Sequence, residues 1–371
     1  MLFKKLLISS VVALSVLGLG PSNAADGLKT GKVGVIVQLS GLAAQFGIGV
    51  QNAVSVAQED LKQKGVIDLT VHYEDHQQQA QLGLLGFEKL VDTYDVPVVI
   101  ANASPIILAV GPAAEEREKV LYNFAAVSPK IKELGPWVVT GTPLSDNDSL
   151  QLADLLYNKK GIKTVGLLNV NDANGITFAD AFTKAFEALG GKVLAHETNE
   201  QTVVDLRTQL LKINATNPDA LVIFSNVPEN GYAVAQAREM GMKRPIFANT
   251  FIADPENFKV AGKALDGVMG VTMRFDPNRS PAANSFAEKF KAKANRDPSV
   301  SEALAYDAAM LAGEAMAKVG DDPKAIRDYM VSVKDWEGVS TTFNFDEHGI
   351  LKVSLSPFVI ADGKLTFPTT N

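Results

Sequence analysis

The 371-residue sequence contains no cysteine. That one absence removes disulfides, thiolate zinc sites, iron–sulfur clusters and cysteine nucleophiles. Histidine is scarce too, limited to His72, His76, His196 and His348. Gly-x-Ser-x-Gly, His-Glu-x-x-His and Gly-x-x-x-x-Gly-Lys-Ser/Thr are all missing. The commonest serine-hydrolase, zinc-protease and phosphate-loop chemistries therefore have no footing. Positive charge is in deficit, 35 Lys and Arg against 42 Asp and Glu. A net charge of −7 argues against a nucleic-acid groove or a polybasic membrane surface.

What is present begins with an export signal. Lys4 and Lys5 precede an apolar run from Leu6 to Gly20, with small residues at Ser22 and Ala24. A basic head, a short apolar segment and small residues predict secretion and cleavage after about Ala24. The run is short for a membrane span, which needs about 20 apolar residues, so an uncleaved anchor is the weaker alternative. A lipid anchor would need a cysteine at the cleavage site. The expectation is a soluble, unlipidated periplasmic protein, held together by core burial; 46 % apolar and 21 % charged residues suit that.

Strand-like runs at Lys32–Leu39, Leu69–Tyr73, Val96–Ile100 and Val120–Phe124 alternate with helical periodicity. Val50, Ala53, Val54, Ala57 and Leu61 form one i, i+3, i+4, i+7, i+11 stripe. The rhythm restarts at Thr164–Asn169, with a helix near Phe178–Leu189 and strands at Lys192–Ala195, Ala220–Phe224 and Pro245–Ala248. Strands separated by helices imply right-handed crossovers and parallel sheets. The pattern predicts an α/β protein of two similar lobes. Helices at Ala282–Lys293 and Glu302–Lys318 follow, then strands at Val339–Phe345 and Leu351–Ile360 around a turn at Asp346–Gly349. These late elements fit neither series and are expected to return to the first lobe and cross back.

Two motifs invite a cofactor or a metal. Gly47-Ile-Gly49 with Glu74-Asp75 half-resembles a dinucleotide fingerprint, but its first glycine should directly follow the strand and a third should stand where Asn52 is. A loop needing flexible backbone ahead of a helix is the better reading. His72, Glu74 and His76 alternate and could share a strand face, suiting zinc. No fourth ligand can be named, and a strand ending at a solvated edge is favoured. No cofactor, metal or catalytic group is predicted.

One long run carries more information. Val33-Gly-Val-Ile-Val-Gln-Leu-Ser-Gly-Leu-Ala-Ala-Gln-Phe-Gly47, leading into Gln58-Glu59-Asp60, resembles the opening of the branched-chain amino-acid binding proteins, periplasmic receptors of ABC importers. Tyr73-Glu-Asp75, Gly111–Glu116, Ala125–Pro129, Gln236–Gly241, Ala305–Ala308 and Phe343–Gly349 support the resemblance in order and spacing. It implies a type I periplasmic-binding-protein-like fold, two Rossmann-like lobes joined by a three-crossing hinge. The crossings would fall near Thr140–Thr142, Thr272–Met273 and Asp346–Leu351. Residues 1–24 would then be signal, 25–141 plus 274–346 lobe one, and 142–273 plus 347–371 lobe two. It further implies a monomer that delivers a small ligand to permease subunits in the inner membrane, with no nucleic-acid partner. A sensory receptor for a membrane signalling partner is the alternative, and an exported α/β enzyme a weaker one.

Carried over position by position, the ligand site would involve Phe46, Ser104, Ala125 and Val127 in lobe one, and Asn174, Val227 and Thr250 in lobe two. Phe46 would cover the ligand, and Ser104-Pro105 reads as N-cap and N1 of a helix. Departures from the family are informative. Pro105 lacks the N–H that would help grip a ligand carboxylate, and Val127 replaces a common threonine. Thr250 stands in place of the acid that pairs with an α-ammonium, and no Asp or Glu lies between Pro245 and Ile252. Asp254, the nearest acid, is expected to cap the helix beginning at Pro255. A buried ammonium without a carboxylate is disfavoured. The expected ligand is accordingly a small carboxylate or amide with an apolar or aromatic body, not a simple α-amino acid.

Overall fold

A computed structural model describes residues 27–41, 44–201 and 203–368; the expected export signal and cleavage site lie outside them. The first sheet is built from β1 (Thr30–Val37), β2 (Asp68–Asp75), β3 (Val98–Ala101), β4 (Val120–Asn123) and β5 (Val138–Thr140). Its strands are all parallel and run in the order β2-β1-β3-β4-β5. Helices α1 (Ala44–Gln63), α2 (Ala80–Tyr94) and α3 (Ser104–Glu116) make the crossovers. The stripe Val50, Ala53, Val54, Ala57, Leu61 is fully buried against one face of this sheet, as its periodicity predicts. α2 and α3 cover the other face, around Phe87, Leu90, Ile106 and Val110.

After β5 the chain enters α4 (Ser145–Asp154) and a second series: β6 (Thr164–Val170), α5 (Ala173–Ala188), β7 (Lys192–Asn199), α6 (Arg207–Ala215), β8 (Ala220–Phe224), α7 (Glu229–Glu239), β9 (Ile246–Ala248), α8 (Pro255–Ala261) and β10 (Met269–Thr272). The parallel part of this sheet runs β7-β6-β8-β9-β10, the same order as lobe one. In each lobe the first strand sits inside, flanked by the second and third. The duplication legible in the sequence is one of topology.

The late elements divide between the lobes. α9 (Pro281–Ala294), α10 (Val300–Val319) and α11 (Pro323–Ser332) pack on lobe one, with Phe286, Phe290, Tyr306 and Ile326 in its core. Asp60 of α1 ties them in, accepting a hydrogen bond from the Tyr306 hydroxyl at 2.7 Å and an ion pair from Lys289. A short ribbon, β11 (Trp336–Glu337) with β12 (Thr342–Phe343), stays with lobe one. β13 (Ser356–Ala361) then joins the second sheet antiparallel to β10, and β14 (Lys364–Thr366) folds back on it. The intervening turn has Asp362 at φ 50° and Gly363 at φ 71°, the paired left-handed positions that Asp-Gly supplies to a two-residue hairpin.

Two expectations about the late strands need correction. Val339–Phe345 is strand only at Thr342–Phe343, and β13 begins at Ser356 instead of Leu351. The turn at Asp346–Gly349 forms, but its flanks meet only through the Phe345–Leu351 bridge. Leu351 is held instead beside Thr140, where Thr140 N–H donates to Gly349 O at 2.9 Å and Leu351 N–H to Thr140 O at 2.8 Å. The chain passes between the sheets after Thr140, after Thr272, and between Leu351, in the lobe-one core, and Leu355, in the lobe-two core. Among the described residues no helix is long and apolar enough to cross a membrane.

Candidate functional site

Between the lobes lies a cavity of about 330 Å³. Ala125 and Val127 line it from the loop after β4, Val227 from the loop after β8, and Thr250, Phe251 and Asp254 from the segment after β9. Thr142 and Pro143 come from the first passage between lobes, Thr272 and Met273 from the second. Asp148 enters from α4, and Ser301 and Leu304 from α10. The position is the carboxyl end of the parallel strands, where open α/β sheets bind their ligands.

Buried asparagines fix both walls. In lobe one Asn123 Oδ1 accepts from the N–H groups of Ala126 (2.7 Å) and Ala125 (3.2 Å), while its Nδ2 donates to Ala126 O. These local bonds set the loop conformation. They also consume the Ala125 N–H, so Ala125 offers the cavity its side chain and not that donor. In lobe two Asn230 Nδ2 donates to Ser225 O at 2.7 Å and to Asn249 Oδ1 at 2.9 Å, and Asn249 Nδ2 reaches the same Ser225 carbonyl. This clasp joins the ends of β8 and β9 and places Val227 and Thr250. Thr250 and Thr272 share a hydroxyl–hydroxyl bond of 2.6 Å across β9 and β10.

Of the seven residues inferred from sequence, Ala125, Val127, Val227 and Thr250 line this cavity; Phe46, Ser104 and Asn174 are not among its lining residues. Phe46, half-buried in the first turn of α1, stacks on Phe124 with centroids 6.4 Å apart and packs on the lobe-one core. Phe46→Ala is expected to destabilise the fold by about 1–3 kcal/mol with little change in ligand affinity. Unchanged thermal stability together with a large affinity loss would return the ring to the ligand. Ser104 is not the helix cap: Ala103 takes that place at φ 67°, and Ser104 Oγ instead accepts from Ser128 N–H at 3.1 Å. Asn174 lies at the start of α5, where Asp172 caps the helix through Gly175 N–H. Asp254 caps α8, accepting from Glu256 N–H at 2.9 Å.

The rejected motifs have physical explanations that the sequence did not supply. Gly47 and Gly49 lie inside α1, not in a loop. His72 stacks on Tyr94, Glu74 pairs with Lys89, and His76 is fully buried beyond the end of β2. The edge at His76 is thus not solvated. His76 Nδ1 accepts from Gln78 N–H, which leaves Nε2 to donate to Asn102 Oδ1, and Asn102 Nδ2 donates to Gln38 Oε1. Burial lowers the His76 pKa and keeps the ring neutral. Among the described residues no three His, Asp or Glu side chains are grouped to hold a metal.

Asp148 is the residue sequence reasoning missed. The segment after β9 offers no acid before Asp254, whereas Asp148 arrives from α4, whose Ser-Asp-Asn-Asp start has no apolar pattern to mark a buried face. Asp148 is only 7 % exposed and its Oδ1 has no hydrogen-bond partner. Burial, with the nearby Asp146 carboxylate, pushes its pKa up to about 8. Among the described residues no Lys or Arg lines the cavity to offset it.

Two parallel-sheet lobes with a ligand-sized cleft at their strand ends define a type I binding clamp. Residues 30–356 match the model of the periplasmic binding protein family, and the chain belongs to that family. Its members are non-enzymatic substrate-binding components of transporters that work outside the cytoplasm. The chain is 23 % identical over 376 residues to a Leu/Ile/Val-binding protein homolog of Brucella abortus, covering 98 % of this chain and 99 % of that one. The fold superimposes on a leucine binding protein from Thermotoga maritima with a TM-score of 0.80 at 24 % identity, covering 91 % and 98 % of the two chains. It also superimposes on a solute binding protein from R. palustris in complex with benzoate, with a TM-score of 0.75 at 18 % identity, covering 91 % and 94 %.

Proposed function

We propose that this protein captures a small solute with an apolar or aromatic body between its lobes and delivers it to the permease of an ABC importer. The observation that carries the reading is a cleft walled by both lobes and lined by two of the three passages of the chain, with Ala125, Val127, Val227, Met273 and Leu304 as apolar surface. Those passages would act as the hinge, and closure would exclude water from the ligand and present a new surface to the permease. Proteins of this fold have been solved in complex with isoleucine in one case and benzoate in another, so the fold accommodates both a zwitterion and a plain carboxylate. Here Thr250 provides no charge for an ammonium, Asp254 is taken up as the cap of α8, burial pushes the Asp148 carboxyl up to about 8, and among the described residues the lining provides no cation for a carboxylate. An uncharged polar end such as an amide suits this cleft best.

Calorimetric titration with leucine, valine and aliphatic or aromatic carboxylates and amides tests the reading. A bound solute should raise the melting temperature by mass action and compact the protein in solution scattering. Micromolar binding of leucine or valine with no response to the other compounds would overturn the ligand class. Binding without compaction would overturn the clamp.

A further inference from the structure

The passages between the lobes change hands at places that the strand ends do not mark. Beyond β5 the chain is still held by lobe one for several residues. Thr140 is bonded on both sides, to Gly349 and Leu351, and Gly141 N–H donates to Asn123 O at 2.8 Å. Leu144 is buried in the lobe-one core, Ser145 N–H donates to Val127 O at 2.8 Å, and Asp146 pairs with Lys132. Lobe two takes over inside α4. Ser149 Oγ donates to Phe178 O at 2.9 Å, and Leu152 and Ala153 lie in the lobe-two core. Asn147 and Asp148 are the residues between these two sets of holds.

The other passages change hands as abruptly. Lys352 N–H donates to Asn344 O on the lobe-one side, whereas Val353 O and Leu355 N–H are both held by the Gln151 side chain of α4, at 3.1 and 2.7 Å. Arg274 lies over the ring of Phe367 in lobe two at 4.9 Å, and Phe275 meets Phe286 of lobe one at 5.7 Å. Around α4 there is also room to move. Asp148 lines the cleft, while Asp146, Asn147 and Leu150 line a second cavity of about 430 Å³ together with Lys352 and Val353. The first turn of α4 is a weak one. Its bond from Asp148 N–H to Leu144 O is long, 3.3 Å, and Ser-Asp-Asn-Asp is poor in helix formers.

We propose that the clamp opens and closes by bending α4 at Asn147–Asp148, with Arg274–Phe275 and Lys352–Val353 as the companion pivots. The proposal rests on the clamp reading above and moves its first hinge from Thr140–Thr142 into a helix. The first turn of α4 travels with lobe one and the remainder with lobe two. Gln151 is the coupler, because it grips the third passage on the lobe-two side of its pivot and carries it along with α4.

The cysteine-free chain gives a clean test. Ile48 and Ile176 are exposed in the first turns of α1 and α5, one in each lobe. Ile48→Cys combined with Ile176→Cys carries two spin labels whose separation reports the angle between the lobes in the ligand-free protein. Adding Asn147→Gly, which softens the helix, should broaden the distribution of distances, whereas adding Thr142→Gly should leave it as it was. Gln151→Leu, which releases the third passage, should broaden it too. In the unlabelled wild type, the amides of Thr140 and Gly141 should be protected from hydrogen exchange about tenfold more than those of Ser149 and Leu150.

A distribution unchanged by Asn147→Gly would overturn the pivot. Broadening by Thr142→Gly, alone or alongside Asn147→Gly, would return the hinge to the strand end and overturn it as well. If Asn147→Gly does not fold, the exchange comparison in the wild type decides, and protection at Ser149 and Leu150 equal to or above that at Thr140 overturns the pivot. No broadening in Gln151→Leu would overturn the coupling. The clamp reading falls separately, if the labelled protein keeps one distance with every compound of the calorimetric panel.

Discussion

Gly47→Ala is expected to destabilise the protein by about 3 kcal/mol, against the direction that helix propensity predicts. In an exposed helix interior the same change would gain about 1 kcal/mol. At Gly47 an added methyl group would lie 1.8 Å from the carbonyl oxygen of Gln38 and 2.7 Å from its carbon. Both obstacles are backbone at the end of β1, an inner strand paired on both sides, so no rotamer change relieves the clash. α1 must lift off the strand, and its buried stripe must part from α10. Thermal or urea unfolding measures the effect, with Gln63→Ala, exposed at the end of the same helix, as a control expected to stay within about 0.5 kcal/mol. A stability equal to or above wild type would show that α1 can shift freely.

The second large effect concerns the late helices. Phe286 is fully buried and its ring meets Phe275, Phe290 and Tyr306 at centroid distances of 5.7, 5.8 and 4.7 Å. Phe286→Ala should cost about 3–5 kcal/mol, the transfer term plus an unfilled cavity between α9 and α10. The readout is specific, because the chain's two tryptophans, Trp137 and Trp336, both pack on this same core. Tryptophan fluorescence therefore follows lobe one. Its unfolding midpoint should shift by the full amount. A shift seen in circular dichroism but absent from the fluorescence would mean that α9 does not stabilise lobe one. Ser301 and Leu304 of α10 also face the cavity, so loosening α9 should weaken ligand capture as well.

These two sites mark what the sequence could and could not reveal. The α1 stripe was readable because burial on one side of a helix imposes a 3.6-residue period, and β8 was delimited correctly because a central parallel strand is apolar throughout. β5 and β10 are three and four residues long, too short to establish any period. Gly47 was visible, but its reason was not: a glycine chosen for close approach of helix and strand looks like one chosen for flexibility until the strand is in place. Gly175 makes the same approach in lobe two, where an added Cβ would lie 2.2 Å from Val170 O. Asp148 was hidden for a related reason. Its place in the cavity lining depends on which loops meet across the cleft, and no local pattern records that meeting. Ala125, Val127, Val227 and Thr250, which the family resemblance implied, line the cavity at the strand ends, where such sheets gather ligands.

The pairing of Thr140 with Gly349 and Leu351 has a further consequence. Two of the three connections between the lobes are zipped to each other, so the joint is redundant in its covalent wiring. A single protease cut at the exposed Glu347–His348 turn would leave the new His348 end clamped beside Thr140 through Gly349 and Leu351, and the Glu347 end tied to that segment by Asp346 N–H to Ile350 O, so the nicked molecule should stay in one piece under native conditions. The same turn is thus the natural place to open the chain for a circular permutant or to insert a fluorescent reporter.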